Sequence, residues 1–173
     1  MMKRGLLAVL LGLMLAPVAM AENLLVNGDF SQWQAQKPVK WNLWSKKGSA
    51  FQPTDAKPDG IRIAGCADCS LGQRIKVEAG KTYDVSLTGK LTGGSSLRFF
   101  VRFFDADGKR ISQKKHVFPG RVKDRWETVS VKVTVPERSS SMLLLIGIKG
   151  SGAPEDAVLL REIVISETGA ETK

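Results

Sequence analysis

The sequence predicts an all-β protein, a two-sheet antiparallel sandwich, and three observations predict it. First, apolar and polar residues alternate: Tyr83, Val85, Leu87 and Leu91 against Asp84, Ser86, Thr88 and Lys90, then Val129, Val131, Val133 and Val135 against Ser130, Lys132 and Thr134. That period gives a strand one buried and one solvated face. Second, no segment beyond residue 21 sustains the i, i+3, i+4, i+7 spacing of an amphipathic helix. Third, the apolar runs are short and punctuated by turn clusters: Lys57-Pro58-Asp59-Gly60, Thr92-Gly93-Gly94-Ser95-Ser96, Asp105 to Gly108, Pro119-Gly120 and Gly150 to Pro154. Many short strands at such spacing pack as a sandwich.

At the N-terminus, Lys3 and Arg4 precede an apolar run from Leu6 to Leu15, and Ala19-Met20-Ala21 follows as a small-x-small cleavage signal. The run is too short to cross a bilayer, for which about 20 residues are needed. Residues 1–21 therefore read as a signal peptide, with no transmembrane segment after cleavage and a periplasmic or secreted destination. Residues 22–167 read as one domain and 168–173 as a disordered tail. The chain carries 26 Lys and Arg against 17 Asp and Glu, and removing Lys3 and Arg4 leaves 24 against 17, a net charge of +7. An exported basic protein points to anionic polysaccharide, cell-wall polymer or a membrane surface rather than to nucleic acid.

The segment Asn23-Leu24-Leu25-Val26-Asn27-Gly28-Asp29-Phe30, followed by Trp41, resembles the opening of the β-jelly-roll carbohydrate-binding modules attached to cellulases and xylanases (families 4, 9 and 22, galactose-binding-domain-like). Gln73-Arg74-Ile75-Lys76-Val77 through Gly80 and Tyr83, the hairpin Phe104-Asp105-Ala106-Asp107-Gly108-Lys109, and Trp126-Glu127-Thr128 through Val135-Pro136 follow the family's order. The resemblance implies a jelly roll, a carbohydrate ligand, a buried Trp41 and a buried ring at Trp126. It also implies a structural calcium between the Asn-Gly-acidic-Phe segment and the last strand. Here Ser31 stands where the family carries Glu, and Arg161-Glu162 where it carries Asp-Asp, which leaves Asp29 and Glu162 as side-chain candidates. Arg161 could then replace the cation and pair with Asp29.

Cys66 and Cys69 read as a local disulfide in an oxidising compartment. A thioredoxin-like centre would need a βαβ context, zinc two further ligands, and haem attachment a His where Ser70 stands. The run Leu97 to Phe104 puts Leu97, Phe99, Val101 and Phe103 on one face and Arg98, Phe100, Arg102 and Phe104 on the other. The second face alternates cations with rings, a pattern that stacks on pyranose faces and grips hydroxyls or carboxylates. The alternative leaves one or both aromatics as satellite core and the arginines as solvated charges. Trp33 and Trp44 join Arg98, Phe100, Arg102 and Phe104 as ligand-binding candidates, because Trp41 is the structural ring of that group.

Met142 to Ile148 and Val158 to Ile165 are nearly continuous in apolar residues and read as central strands covered on both sides. Catalytic machinery is thin: His116 is the single histidine, and no Gly-x-Ser-x-Gly elbow accompanies it. The expectation is an exported non-catalytic binder of an acidic or plant/cell-wall polysaccharide. The alternatives are a sandwich that docks an envelope protein partner and a glycan-active hydrolase or lyase with a carboxylate pair.

Overall fold

The computed structural model describes residues 22–45, 50–53, 60–120 and 123–168. Residues 1–21, read above as a signal peptide, turn residues 57–59 and residues 169–173 of the segment read as a tail lie outside them. Twelve strands follow in order: β1 (Trp33–Gln34), β2 (Lys37–Pro38), β3 (Asn42–Ser45), β4 (Ala50–Pro53), β5 (Ile61–Ala64), β6 (Asp68–Lys76), β7 (Thr82–Leu91), β8 (Ser96–Phe104), β9 (Arg110–Val117), β10 (Glu127–Thr134), β11 (Ser141–Lys149) and β12 (Ala157–Glu167). The first sheet runs β10-β7-β12-β5-β4 and the second β3-β6-β11-β8-β9, every pairing antiparallel, while β1 and β2 pair only with each other. The all-β jelly-roll sandwich is thus the observed architecture. No helix among the described residues is long and apolar enough to cross a membrane.

Alternation decides which residues fill the sandwich. Leu97, Phe99, Val101 and Phe103 from β8 and Met142, Leu144, Ile146 and Ile148 from β11 are buried, as are Tyr83, Val85 and Leu87 from β7 and Ile163 and Ile165 from β12. Each large side chain removed from water contributes roughly 1.5–3 kcal/mol. The two most continuous apolar strands, β11 and β12, each sit third of five in their sheets. They are central but not covered on both faces: Leu143 and Leu145 of β11 lie half-buried on the outside of the second sheet. A central strand without a further layer above it presents apolar groups to solvent, and these shape the candidate site.

The Asn27-Gly28 motif is structural. Asn27 is buried at φ 57, its amide donates to the Gln32 and Val39 carbonyls, and its own carbonyl accepts the Trp41 indole at 2.9 Å. Asn tolerates this left-handed conformation, and its side chain and carbonyl together tie Gln32, Val39 and Trp41 to the opening segment. Gly28 is required by close approach, since a Cβ there would run into the Ile163 carbonyl oxygen. Phe30 packs on Trp41 with centroids 5.0 Å apart, which makes Trp41 core.

At the other end, Thr168, the first residue of the segment read as tail, donates its amide to the Thr82 carbonyl at 2.8 Å and its hydroxyl to Asp84 at 2.7 Å.

Candidate functional site

The two outer faces differ in chemistry. On the first sheet, polar side chains satisfy one another across strands: Thr82 with Thr134, Thr88 with Thr128, Ser86 with Ser130, and Lys132 with Asp84 at 3.1 Å. On the second sheet, register sets side chains of opposite kinds in rows. Trp44, Ser70, Gly147, Arg98 and Val117 are successive cross-strand partners; Asn42, Gly72, Leu145, Phe100 and Lys115 form the next row; Arg74, Leu143, Arg102 and Gln113 the one after. Residues paired this way point to the same side of a sheet. Rings, methyl-rich side chains and cations are therefore interleaved over the face.

Trp44 stands on the edge strand β3 and is 48% exposed. Between it and Arg98 lie only Ser70 and Gly147, so a shallow trough two residues wide runs between an indole and a guanidinium. A Cβ on Gly147 would meet the Phe100 ring at 3.6 Å, ordinary contact, so the glycine leaves room on the face without being demanded by the backbone. Phe100, Leu143 and Leu145 form the half-buried floor beside it.

The arginines are held rather than free. Arg102 donates its Nε to Gln113 Oε1 at 2.7 Å and lies 5.6 Å from the Phe100 ring centre. Partial burial first, then the nearby Arg110 charge, lower its pKa, though a guanidinium stays protonated throughout the physiological range. Arg74 reaches across β11 to lie 3.9 Å over the Phe104 ring. Phe104 consequently presents a guanidinium-covered face rather than a bare stacking surface. Arg74 was not among the residues singled out in the sequence, although the alternation in β6 placed it with Gly72 and Lys76; its meeting with Phe104 depends on the β6-β11-β8 order, which no local pattern carries.

The structure thus brings Trp44, Arg98, Phe100, Arg102 and Phe104 to one face. Trp33 is not brought there. It sits in the separate β1–β2 ladder, packs against the core and donates its indole to the Phe30 carbonyl at 2.6 Å. Trp126, read as a buried ring, is instead 36% exposed on the first sheet, where Arg161 lies 4.7 Å and Lys90 5.6 Å from its centre. Arg161 therefore does not pair with Asp29, whose carboxylate accepts the Ser31 amide and hydroxyl.

The N-terminal segment does run along the last strand, as Ile163 donates its amide to Gly28 at 2.9 Å. Asp29 and Glu162 flank that contact in sequence. Calcium takes about six to eight oxygens, commonly from several carboxylates. Among the described residues no three His, Cys, Asp or Glu side chains gather to hold a metal. Two carboxylates, one already engaged by Ser31, are a poor donor set for the ion that the resemblance implied.

Cys66 and Cys69 are bonded, with both side chains buried. Cys69 pairs with Ser45 of β3 and Ile148 of β11, so the bridge fixes the start of β6 beside the strand that carries Trp44. His116 faces inward from β9, stacked on Phe99 with centroids 5.0 Å apart, and its buried Nε2 has no hydrogen-bond partner. Among the described residues no hydroxyl bonds that Nε2, and the ring is part of the packing.

Comparison with solved structures gives the fold its relatives. A family 16 carbohydrate-binding module superposes with a TM-score of 0.59 at 18% identity over 84% of this chain and 100% of that one. A family 61 module in complex with β-1,4-galactotriose gives 0.57 at 13% over 85% and 99%. The fold is that of the carbohydrate-binding jelly rolls. The enzymatically active domain of bacteriophage CBA120 tailspike protein 4 also contains this jelly roll, with a TM-score of 0.69 at 13% identity over 84% of this chain, which spans only 21% of the tailspike domain. No family model and no curated protein matches the sequence.

Proposed function

We propose that this protein is an exported, non-catalytic carbohydrate-binding protein whose ligand, an anionic polysaccharide, lies on the outer face of the second sheet. One observation carries the reading: rings and aliphatic groups alternate there with Arg74, Lys76, Arg98, Arg102, Lys115 and Lys149, while Asp68 is the acidic member of that face among the described residues. Glycan recognition needs both parts. A ring or leucine floor covers the apolar face of a pyranose, and guanidinium forks donate paired hydrogen bonds to oxygens of hydroxyls or carboxylates. Trp44 with the trough beside it supplies the stacking surface, and Arg98 and Arg102 supply the forks. The likeness to carbohydrate-binding modules supports the fold's suitability for such a ligand and leaves the residues to define it.

The test is titration of the mature protein with acidic and neutral polysaccharides at two salt concentrations. Acidic glycan should bind more tightly, and its affinity should fall with salt, because exposed charge pairs are screened over about 8 Å at physiological ionic strength. Trp44→Ala should weaken binding roughly tenfold, about 1.4 kcal/mol, at both salt concentrations. Absence of binding to every glycan, with capture of a single envelope protein instead, would replace this reading by a docking function.

A further inference from the structure

Three arginines neighbour Phe104 in the second sheet. Arg74 lies over Phe104 from β6, Arg102 stands two residues before Phe104 on the same face of β8, and Arg110 is its cross-strand partner on β9. None of the three makes an ion pair with a carboxylate among the described residues. The Arg110 charge is close enough to disfavour the protonated form of Arg102. Acids stand in the β8–β9 turn, where Asp105 Oδ1 accepts the Lys109 amide at 2.8 Å and both Asp105 and Asp107 line an open cavity of about 540 Å³ with Arg110 and Arg138.

Like charges gathered without an ion-paired carboxylate among the described residues cost free energy, and neighbouring groups brace two of the three. The Phe104 ring carries Arg74, and the Phe100 ring and Gln113 carry Arg102. Such bracing orients planar forks before any ligand arrives, and less side-chain entropy is then lost on binding.

We propose that this cluster is a subsite for a tetrahedral oxyanion ester, a sulfate or phosphate monoester carried on the polysaccharide. The inference rests on the glycan reading above. A carboxylate presents two oxygens and is satisfied by one fork; a sulfate or phosphate monoester presents three terminal oxygens directed apart, which three separate guanidiniums can meet. Phe104 acts as a positioning residue through Arg74.

The experiment compares dextran sulfate, a phosphomannan, polygalacturonate and neutral dextran as ligands of the mature protein, with folding of each variant checked by thermal melting. The expected result is that one ester polymer binds at least tenfold more tightly than polygalacturonate, with the two ester arms identifying sulfate or phosphate. Arg74→Gln and Arg110→Gln should each reduce ester binding about tenfold and leave polygalacturonate affinity within about twofold, whereas Arg102→Gln, at one of the forks assigned above, should weaken both. Phe104→Leu should reproduce the Arg74→Gln loss while Arg74 itself is present. Arg62→Gln and Lys90→Gln on the opposite sheet remove the same charge elsewhere, and equal losses from them would overturn the subsite in favour of generic charge attraction. Polygalacturonate binding as tightly as both esters would overturn it too while leaving the glycan reading intact. Failure of all four polymers would overturn the glycan reading itself.

Discussion

The carboxylate of Asp156 accepts the amide of Gly94 at 2.6 Å across the end of the sandwich. Its other oxygen accepts the Ser151 amide at 2.7 Å, and its backbone carbonyl accepts the Gly65 amide at 3.2 Å. One buried aspartate thus gathers three loops at the end where Ser96 and Lys149 pair, beyond Arg98. Hydrogen bonds from Ser151, then from the Gly94 amide, and lastly the Lys123 charge hold its pKa below the ordinary 3.8. Because the folded value is depressed, the stabilisation is present above pH 3.8 and is lost as pH falls through the folded value. Asp156→Ala should lower the melting temperature at pH 7 more than Asp156→Asn, which keeps one acceptor. The gap between wild type and Asp156→Ala should narrow in melts below pH 3.8; a gap independent of pH would mean that the carboxylate's charge is not what the loops hold.

Gly147 separates Trp44 and Arg98 from becoming one continuous ridge. Gly147→Ala should fold normally, since its added methyl meets Phe100 at ordinary contact distance. Gly147→Leu should fill the trough and reduce glycan affinity at least tenfold, about 1.4 kcal/mol, with little change in melting temperature. Titration and thermal melts on the two variants separate ligand exclusion from misfolding.

His116 gives the fold a mild acid sensitivity. Burial first, and then the Lys114 charge, lower its pKa from 6.5. A base whose folded pKa is depressed is held neutral by the fold, so stability is complete above pH 6.5 and declines as pH falls from there toward the folded value. His116→Phe keeps the stack on Phe99 and removes both the titration and the unpartnered Nε2. The slope of melting temperature between pH 7 and pH 5 should flatten in that variant, and wild type and variant differing equally at both ends would exclude His116 as its source.

Replacing Cys66 and Cys69 together by Ala should cost about 1–3 kcal/mol in urea denaturation, a small amount because the bridge closes a loop of sequence separation 3. The same pair holds the start of β6 against Ser45. Glycan affinity should therefore drop in the double variant even where it is fully folded, as measured by titration below the unfolding midpoint.

Strand content and inward faces were legible because they depend on period alone: the alternation in β7, β8 and β10 and the apolar continuity of β11 and β12 needed no partner to be read. Ring placement was legible only in part. Trp44, Phe100 and the β8 arginines could be assigned an outward face, but Trp33 and Trp126 exchange the roles expected of them. Their exposure is decided by which strand, if any, lies alongside, β2 for Trp33 and β7 for Trp126. Arg74 and Leu143 were missed for the same reason. A site assembled from β3, β6, β11, β8 and β9 joins residues from Asn42 to Lys149, and cross-strand neighbours far apart in the chain leave no local signature.

The free border of the second sheet has a bearing on how copies of this protein behave beside one another. Among the described residues β9 leaves one backbone side unpaired along its eight residues, and such an edge invites a second copy to add a strand. Lys114 takes the inward register there, opposite Val101, yet is exposed; Lys115 follows it, and the register slips between Phe103 and Phe104. The cost of desolvating that ammonium and a kinked ladder both oppose edge-to-edge addition. Molecules crowded along a single polymer strand would therefore remain separate particles, each free to let go on its own.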